Sequence, residues 1–297
     1  MPSWSDFEPF IVSGLALGGV YALSGVGMVV LYQATGVVYL AFGAVGAMGA
    51  LIAWSLINAH APDWVGWLAC VAFAALVTLG YGMVFGPALA KRDPLVKAVA
   101  TLGLTLVLFG LMDLLWTTSG GQSRAITLPT DNGGFMIGQI QVDWTQVISL
   151  ALGIAITVVT GAFLRLSKLG TAMRAMANDR EITATLGVPV RRVEAAAWLG
   201  CGLLGGVAGL LLADLVALDA TTLTFLVISS LAAALIARLR SIVVTFVAAM
   251  AIGLIHDLLT PIQSLSNYRD MTPFVLAAVA LLVLSRHRVI AASREEG

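Results

Sequence analysis

Few residues of this chain have the types and spacing that catalysis or metal binding would need. Cys70 and Cys201 both lie inside apolar runs, where a packing role is expected rather than a disulfide or a metal site. The sequence contains no H-E-x-x-H motif, no G-x-S-G motif and no G-x-x-x-x-G-K-S/T phosphate-binding loop. We therefore expect no catalytic residue, no metal and no cofactor in this chain, so that any ATP it depends on is bound by another protein.

The one densely charged stretch is Lys168–Val193, which reads KLGTAMRAMANDREITATLGVPVRRV in a chain with only 11% charged residues. Asn178 and Glu181 have the spacing of a helix N-cap and the residue that completes its capping box. Asp179 and Glu181 also favour the positive end of a helix dipole. Gly187, with a proline two positions later, is typical of a helix end. The pattern predicts a short helix from about residue 179 to residue 186.

Two interpretations of this short helix are open. Ile182 and Leu186 give it an apolar side, and its neighbouring arginines could hold it on a membrane surface among lipid headgroups. Alternatively, its apolar tip could dock in a groove of a cytoplasmic partner. The local sequence does not distinguish these two interpretations.

The elements that position this stretch are membrane-spanning helices. Apolar residues make up 59% of the chain and the mean hydropathy is +0.97, whereas soluble domains carry about 25% charged residues. Continuous runs such as LALGGVYALSGVGMVVLY exclude the alternating pattern of a membrane β-barrel. A span needs about 20 apolar residues. Nine segments are candidates: Pro9–Leu31, Val37–Ile57, Trp64–Leu89, Ala98–Thr117, Trp144–Leu164, Ala195–Ala213, Thr222–Ala237, Ile242–Leu258 and Met271–Ser285.

We therefore expect an all-α polytopic membrane protein with about eight to nine transmembrane helices, residues 1–297 forming a single domain. The seventh and eighth candidates are short, and either could be re-entrant. The first ten residues, MPSWSDFEPF, lack the positive region of a cleaved signal. All but two of the lysines and arginines, Arg124 and Arg269, fall on one side of the predicted spans. The positive-inside rule then places the N-terminus outside, the C-terminus in the cytoplasm, residues 118–143 outside and residues 168–193 inside.

Two regions resemble a known family. The run GTAMRAMANDREITATLGVPVRRVEAAAW resembles the cytoplasmic coupling segment of permeases of the branched-chain amino acid ABC importer family. The run SGLALGGVYALSGVGMVVLYQATGVVYLAFG is similar to the family's opening. The likeness is closest to the shorter, H-type permease. In the coupling segment, the residues that match at the family's spacing are Gly170, Arg174, Ala175, Ala177, Asp179, Ala184, Gly187, Arg192 and Val193.

The resemblance implies a permease subunit of the bacterial inner membrane. It implies a path for a small amino-acid-like or organic-acid solute that an external binding protein delivers. The implied partners are a second permease subunit, which in this family is usually a different chain, and two cytoplasmic ATPases that bind ATP and Mg. The residues implied to couple this chain to the ATPases are Arg174, Asn178, Asp179, Glu181, Ile182, Leu186 and Gly187.

The chain departs from the family pattern in two places. Where the family usually has N-F-A-H-G, this chain has aromatic residues at Tyr39 and Phe42, which favours a flat or apolar solute. A later Gly-rich stretch is replaced by residues 237–245, in which only Ser241 matches, so the tight backbone geometry expected there is in question.

A translocation path is predicted beside glycine-rich helix faces, since glycines either pack helices closely or leave room for a solute. The residues predicted to line it are Tyr21, Ser24, Tyr39, Phe42 and Gly43. The alternative function is an ion-coupled secondary transporter. It is disfavoured because such transporters need charged groups at membrane depth, and Asp113, Asp214 and Asp257 all fall near predicted outer ends.

Overall fold

The computed structural model describes residues 7–90, 92–116, 134–137, 140–216, 218–262, 266–280 and 282. Within these ranges the chain is almost entirely helical, which confirms the predicted all-α class. The helices are α1 (Glu8–Thr35), α2 (Phe42–Asn58), α3 (Asp63–Leu89), α4 (Pro94–Trp116), α5 (Trp144–Leu166), α6 (Lys168–Asn178), α7 (Arg180–Thr185), α8 (Val190–Leu215), α9 (Ala220–Ile236) and α10 (Ile242–Leu258). A 3₁₀ helix (Ser266–Met271) precedes helical residues 272–280.

Eight of these helices coincide with the first eight predicted spans. In the described part of the chain, α1, α3, α4, α5 and α8 are long and apolar enough to cross a membrane. The apolar helices α2, α9 and α10 have 17 residues each, or about 26 Å, against a hydrocarbon core of about 30 Å. The ninth predicted span overlaps helical residues 272–280, and its last residues, 283–285, lie outside the described ranges.

The central element of the bundle is α1. It packs against α5, α8, α9 and α10, and most of its residues are buried. By contrast, α4 and α5 leave most of their apolar surface exposed. Glycines let α1 approach its neighbours backbone to backbone. A Cβ on Gly19 would lie 2.6 Å from the Ser149 oxygen of α5, and one on Gly153 would lie 2.6 Å from the Gly19 oxygen.

The glycines of α8 face two different helices. Gly202 and Gly206 lie against α3, where an added Cβ would come within 2.7 Å and 2.6 Å of backbone atoms of Ala75 and Val71, respectively. A Cβ on Gly209 would instead overlap the backbone of Gly46 in α2. Gly202 and Gly206 therefore lie on one packing face of α8, and Gly209 lies on another.

The second helix starts later than predicted. Gly36 ends α1 in a left-handed conformation with φ +67°, and the chain is non-helical through Tyr39 and turns at residues 40 and 41 before α2 begins at Phe42. The hydroxyl of Thr101 on α4 donates to the Val38 oxygen and accepts from the Leu40 N–H. Because a neighbouring helix satisfies these backbone groups, the segment does not need to be helical. The predicted span Val37–Ile57 is therefore wrong at its start.

The turn between α9 and α10 keeps a tight geometry without glycine. Arg238 and Leu239 both have left-handed backbones, with φ of +52° and +55°. Such conformations cost about 1–2 kcal/mol for a residue with a Cβ. The amide of Gln33, near the end of α1, donates to the Arg240 oxygen at 2.8 Å. The replacement of a Gly-rich stretch by residues 237–245 thus leaves a left-handed turn in place, held against α1.

The connection between α4 and α5 contains two short strands. β1 (Gly134–Ile137) pairs antiparallel with β2 (Ile140–Asp143), with Gly134 opposite Asp143. The rest of the predicted external loop 118–143 lies outside the described residues.

Candidate functional site

Basic residues from several elements gather at one end of the bundle. A cavity of about 1820 Å³ opens there between the last turn of α1, the second half of α5, α6–α7 and the α9–α10 turn. A smaller cavity of about 490 Å³ beside it is lined by the end of α3, α7 and the start of α8. The charged segment 168–193 lies between the two cavities and forms part of both walls.

The start of this segment is held tightly against α5. The Ser167 hydroxyl accepts from the Gly170 N–H at 2.9 Å and so caps α6. A Cβ at Gly170 would overlap the Phe163 oxygen and the Leu164 Cα. Only glycine therefore allows α6 to fold back so closely on the end of α5.

One face of α6 is anchored in the bundle. Met173 and Met176 are buried, and α6 packs against α1 and α5. Arg174 and Asn178 are exposed on the opposite side and line the larger cavity. The apolar face of α6 thus fixes the segment to the bundle and leaves its polar face open.

The structure corrects the predicted cap of the next helix. Asn178 is the last residue of α6, and Asp179 is the N-cap of α7. The Asp179 carboxylate accepts from the N–H groups of Glu181 and Ile182, both at 2.9 Å. Asp179 has the extended conformation that an N-cap requires, with φ −153° and ψ 112°. Glu181 is then only the second helical residue, so the capping box predicted from Asn178 and Glu181 is wrong.

The tip of the segment, residues 180–187, is a short helix with exposed apolar side chains. Gly187 has φ +82°, which ends the helix as the sequence predicted. Ile182 is 59% exposed and Leu186 is 76% exposed. Thr183 is buried and its hydroxyl donates to the Asp179 oxygen. Two large apolar side chains therefore project from the end of the bundle on a helix whose first turn is capped.

Sequence reasoning missed an ion pair that joins α7 to α8. The Arg180 guanidinium donates to Glu194 Oε1 at 2.8 Å and 2.9 Å. Glu194 is mostly buried, with 15% of its side chain exposed. The available signal was a single acidic residue two positions after the basic pair at 191–192. The 14-residue separation gives no helical periodicity that would have pointed to the partner.

The residues predicted to line a path are all buried in the core. Tyr21, Ser24, Tyr39 and Phe42 are at most 2% exposed, and Gly43 is buried. Phe42 and Gly43 lie where α2 contacts α1, α8 and α9, whereas Tyr39, just before α2, lies in an aromatic cluster with residues of α3 and α8. Their role in a path stays a prediction.

Phe42 and Gly43 lie at a close helix contact. The Phe42 ring occupies space that Gly27 of α1 and Gly205 of α8 leave free, 3.4 Å and 3.6 Å from where their Cβ atoms would be. A Cβ on Gly43 would lie 2.7 Å from the Thr224 oxygen of α9. Gly43 therefore brings α2 and α9 together.

Tyr39 belongs to the aromatic cluster. Its hydroxyl lies 3.2 Å from the Thr78 hydroxyl on α3. Its ring meets Trp198 of α8 edge to face at 5.3 Å between centroids, and Tyr81 lies 5.7 Å from the same tryptophan. The aromatic residue that replaces a polar one in the family pattern is thus accommodated by packing between α3 and α8.

A polar cluster lies at the opposite end of α1 and α10. Ser13 donates to Asp257 at 2.5 Å, and His256 Nδ1 lies 3.2 Å from the same carboxylate. His256 and Asp257 are both buried. Both residues occupy the last turn of α10. Among the described residues no group of three or more His, Cys, Asp or Glu side chains could hold a metal ion.

Comparisons with known proteins agree over most of the chain. The family model described as "Branched-chain amino acid transport system / permease component" matches residues 10–284. The chain is 26% identical over 290 residues to the high-affinity branched-chain amino acid transport system permease protein LivH of Escherichia coli (strain K12), covering 92% of each chain. It is 25% identical over 300 residues to the corresponding permease protein BraD of Pseudomonas aeruginosa, covering 95% of each.

One solved structure shares the fold. It is PsaBC from Streptococcus pneumoniae in complex with Fab, with a TM-score of 0.52 and 14% sequence identity. The match covers 93% of this chain and 89% of that chain. At this identity the likeness concerns the fold alone.

Proposed function

Because the chain belongs to the family of permease components of branched-chain amino acid transport systems, we propose that it is the multi-pass permease subunit of an ATP-driven importer. It forms the membrane path for a small amino-acid-like or organic-acid solute that an external binding protein delivers. A second permease subunit completes the membrane part, and two cytoplasmic ATPases bind ATP and Mg. The relatives named above are branched-chain amino acid permeases, which supports a solute of this class.

The orientation in this proposal places the basic end of the bundle in the cytoplasm of a bacterial inner membrane. Lys97, Arg165, Arg174, Arg238 and Arg240 come from four different parts of the sequence and line one cavity. Cytoplasmic loops collect lysine and arginine. This concentration of charge supports a cytoplasmic position for α6 and α7.

The observation that carries the coupling role is the exposed tip formed by Ile182 and Leu186 on a capped helix. Two apolar side chains that project together from one helix can insert into a hydrophobic groove of a partner. The base of the tip is joined to α5 through Gly170 and to α8 through the ion pair of Arg180 and Glu194. A displacement of the tip by a bound ATPase would therefore be transmitted to two membrane helices.

The test compares Asp179→Ala with Asn178→Ala in the complex reconstituted with its ATPase subunits and binding protein. Asp179 accepts two backbone hydrogen bonds of α7, so its loss costs about 1 kcal/mol of local helix stability. We expect Asp179→Ala to lower solute uptake and solute-stimulated ATP hydrolysis together. Asn178→Ala, next to it but outside the cap, should stay close to wild type. Equal activity of both variants would contradict the coupling role.

The same assay distinguishes the importer from the alternative, an ion-coupled secondary transporter. An importer takes up solute only when ATP is present inside the proteoliposome with the ATPases. Uptake by this chain alone that an ionophore abolishes would instead indicate an ion-coupled secondary transporter.

A further inference from the structure

The larger cavity at the basic end carries an excess of positive charge. Six basic residues from five elements line it, while Glu181 is the one acidic residue among the described residues of its wall. The basic residues are Lys97 of α4, Arg165 of α5, Arg174 of α6, Arg180 of α7, and Arg238 and Arg240 of the α9–α10 turn.

Half of these basic residues have no acidic partner among the described residues. Arg180 is paired with Glu194. Arg165, Arg174 and Arg240 come from three separate elements, and none of them has an acidic partner in the part of the chain that the structure describes. Like charges facing one cavity repel one another at close range. An anion in the cavity would remove this repulsion and form charge-assisted hydrogen bonds with the guanidinium groups.

One part of the remaining wall of the cavity is apolar. Val158, Gly161 and Ala162 of α5 and Val243 of α10 line it, and the two valines are each 63% exposed. These residues belong to apolar helices of the bundle, so their exposed side is suited to contact with hydrocarbon. The cavity thus combines a cationic wall with an apolar wall, and its volume of about 1820 Å³ is far larger than a small inorganic anion requires.

We propose that this cavity binds an anionic phospholipid. The lipid phosphate lies against Arg165, Arg174 and Arg240, and an acyl chain follows the apolar wall of α5 and α10. Basic pockets between membrane helices on the cytoplasmic side suit anionic headgroups. Because α6 and α7 form part of the wall, the bound lipid also contacts the segment proposed to couple to the ATPases, while the lipid site itself stands independently of the importer function.

The first experiment measures binding of phosphatidylglycerol to the purified full-length chain in a neutral detergent, by native mass spectrometry, with phosphatidylcholine as the zwitterionic comparison. Each basic contact with an anionic headgroup contributes about a fivefold factor in affinity. Arg165→Gln combined with Arg240→Gln should therefore weaken phosphatidylglycerol binding by about 30-fold. Lys168→Gln combined with Arg192→Gln removes the same charge from exposed positions outside the cavity and should leave binding unchanged. Equal loss in both double variants would show nonspecific surface attraction and overturn the proposal.

The second experiment leaves every charged residue in place and fills the space beside the apolar part of the wall. A Cβ at Gly161 meets no atom within 4 Å, so Gly161→Phe is compatible with the fold and places a ring where the acyl chain is proposed. It should weaken phosphatidylglycerol binding at least tenfold. If Gly161→Phe binds the lipid as wild type does, or if millimolar inorganic phosphate displaces the lipid completely, the site accepts a free anion and the lipid assignment is wrong. If phosphatidylglycerol is excluded once the ATPase subunits are bound, the cavity is a protein interface and the proposal also fails.

Discussion

Replacing Gly202 with alanine should separate α3 from α8. The added Cβ would lie 2.7 Å from the Ala74 oxygen and 2.7 Å from the Ala75 Cα, both backbone atoms. Ordinary carbon contacts begin at about 3.5 Å, so the two helices must move apart by roughly 0.8 Å along this direction. Overpacking of this kind costs about 1–3 kcal/mol.

Gly200→Ala on the same helix is the matched control, because a Cβ at Gly200 meets no atom within 4 Å. Both variants gain the same helix propensity, about 1 kcal/mol for alanine over glycine. The difference between their unfolding free energies therefore isolates the steric cost at Gly202. With about 2–4 °C per kcal/mol for a chain of this size, Gly202→Ala should unfold about 2–12 °C below Gly200→Ala.

The assay is thermal unfolding of both purified variants in the same detergent, followed by intrinsic tryptophan fluorescence. Trp198, one of seven tryptophans, lies on α8 and packs against Tyr39 and Tyr81, so part of the emission reports on this contact. Equal midpoints for the two variants would refute the close approach of α3 and α8 described above.

Three further predictions concern the charged segment. Glu194→Gln removes the ion pair with Arg180, whose side chain is partly exposed, so the unfolding free energy should fall by no more than about 1 kcal/mol. Solute-stimulated ATP hydrolysis should nevertheless drop clearly, and unchanged hydrolysis would argue against transmission through α8. Cysteines at Ala59 and Leu186, both exposed, should react with an impermeant thiol reagent from outside and inside sealed cells, respectively, and labelling of both from outside would contradict the proposed orientation. Gly187→Ala places a Cβ on a backbone with φ +82°, at a cost of about 1–2 kcal/mol, so amide hydrogen exchange should accelerate in residues 180–187; unaltered exchange would mean that the tip is not held by this turn.

Where two residues were equally suited to a role, the sequence could not choose between them. Asn178 and Asp179 are both good N-cap residues, and Asn178 has the better spacing to Glu181. The choice fell to Asp179 because the packing of Met173 and Met176 against the bundle keeps α6 helical through Asn178. The first extended residue, which alone can cap α7, is then Asp179.

For the glycines too, the sequence predicted the kind of contact but not the contacting helix. Their small-residue spacing predicted close helix packing, which the structure confirms for Gly202, Gly206 and Gly209. Spacing does not reveal partners, however. On α2, Gly43 meets α9 whereas Gly46 meets α8. Residues three positions apart differ by about 60° around a helix, enough for each to face a different neighbour in a crowded bundle.

The sequence by itself determined the membrane class, eight apolar helices, the position of the charged segment between two of them and the end of its short helix at Gly187. Each of these depends on hydrophobicity, charge or a local backbone preference, which are properties of neighbouring residues. Only the tertiary structure decided that α2 begins at Phe42, because the hydrogen bonds that allow the preceding non-helical segment come from Thr101 on α4. It alone paired Arg180 with Glu194 and gathered basic residues from five elements around one cavity. Contacts between distant parts of the chain depend on how the helices pack, and that packing has no local signature.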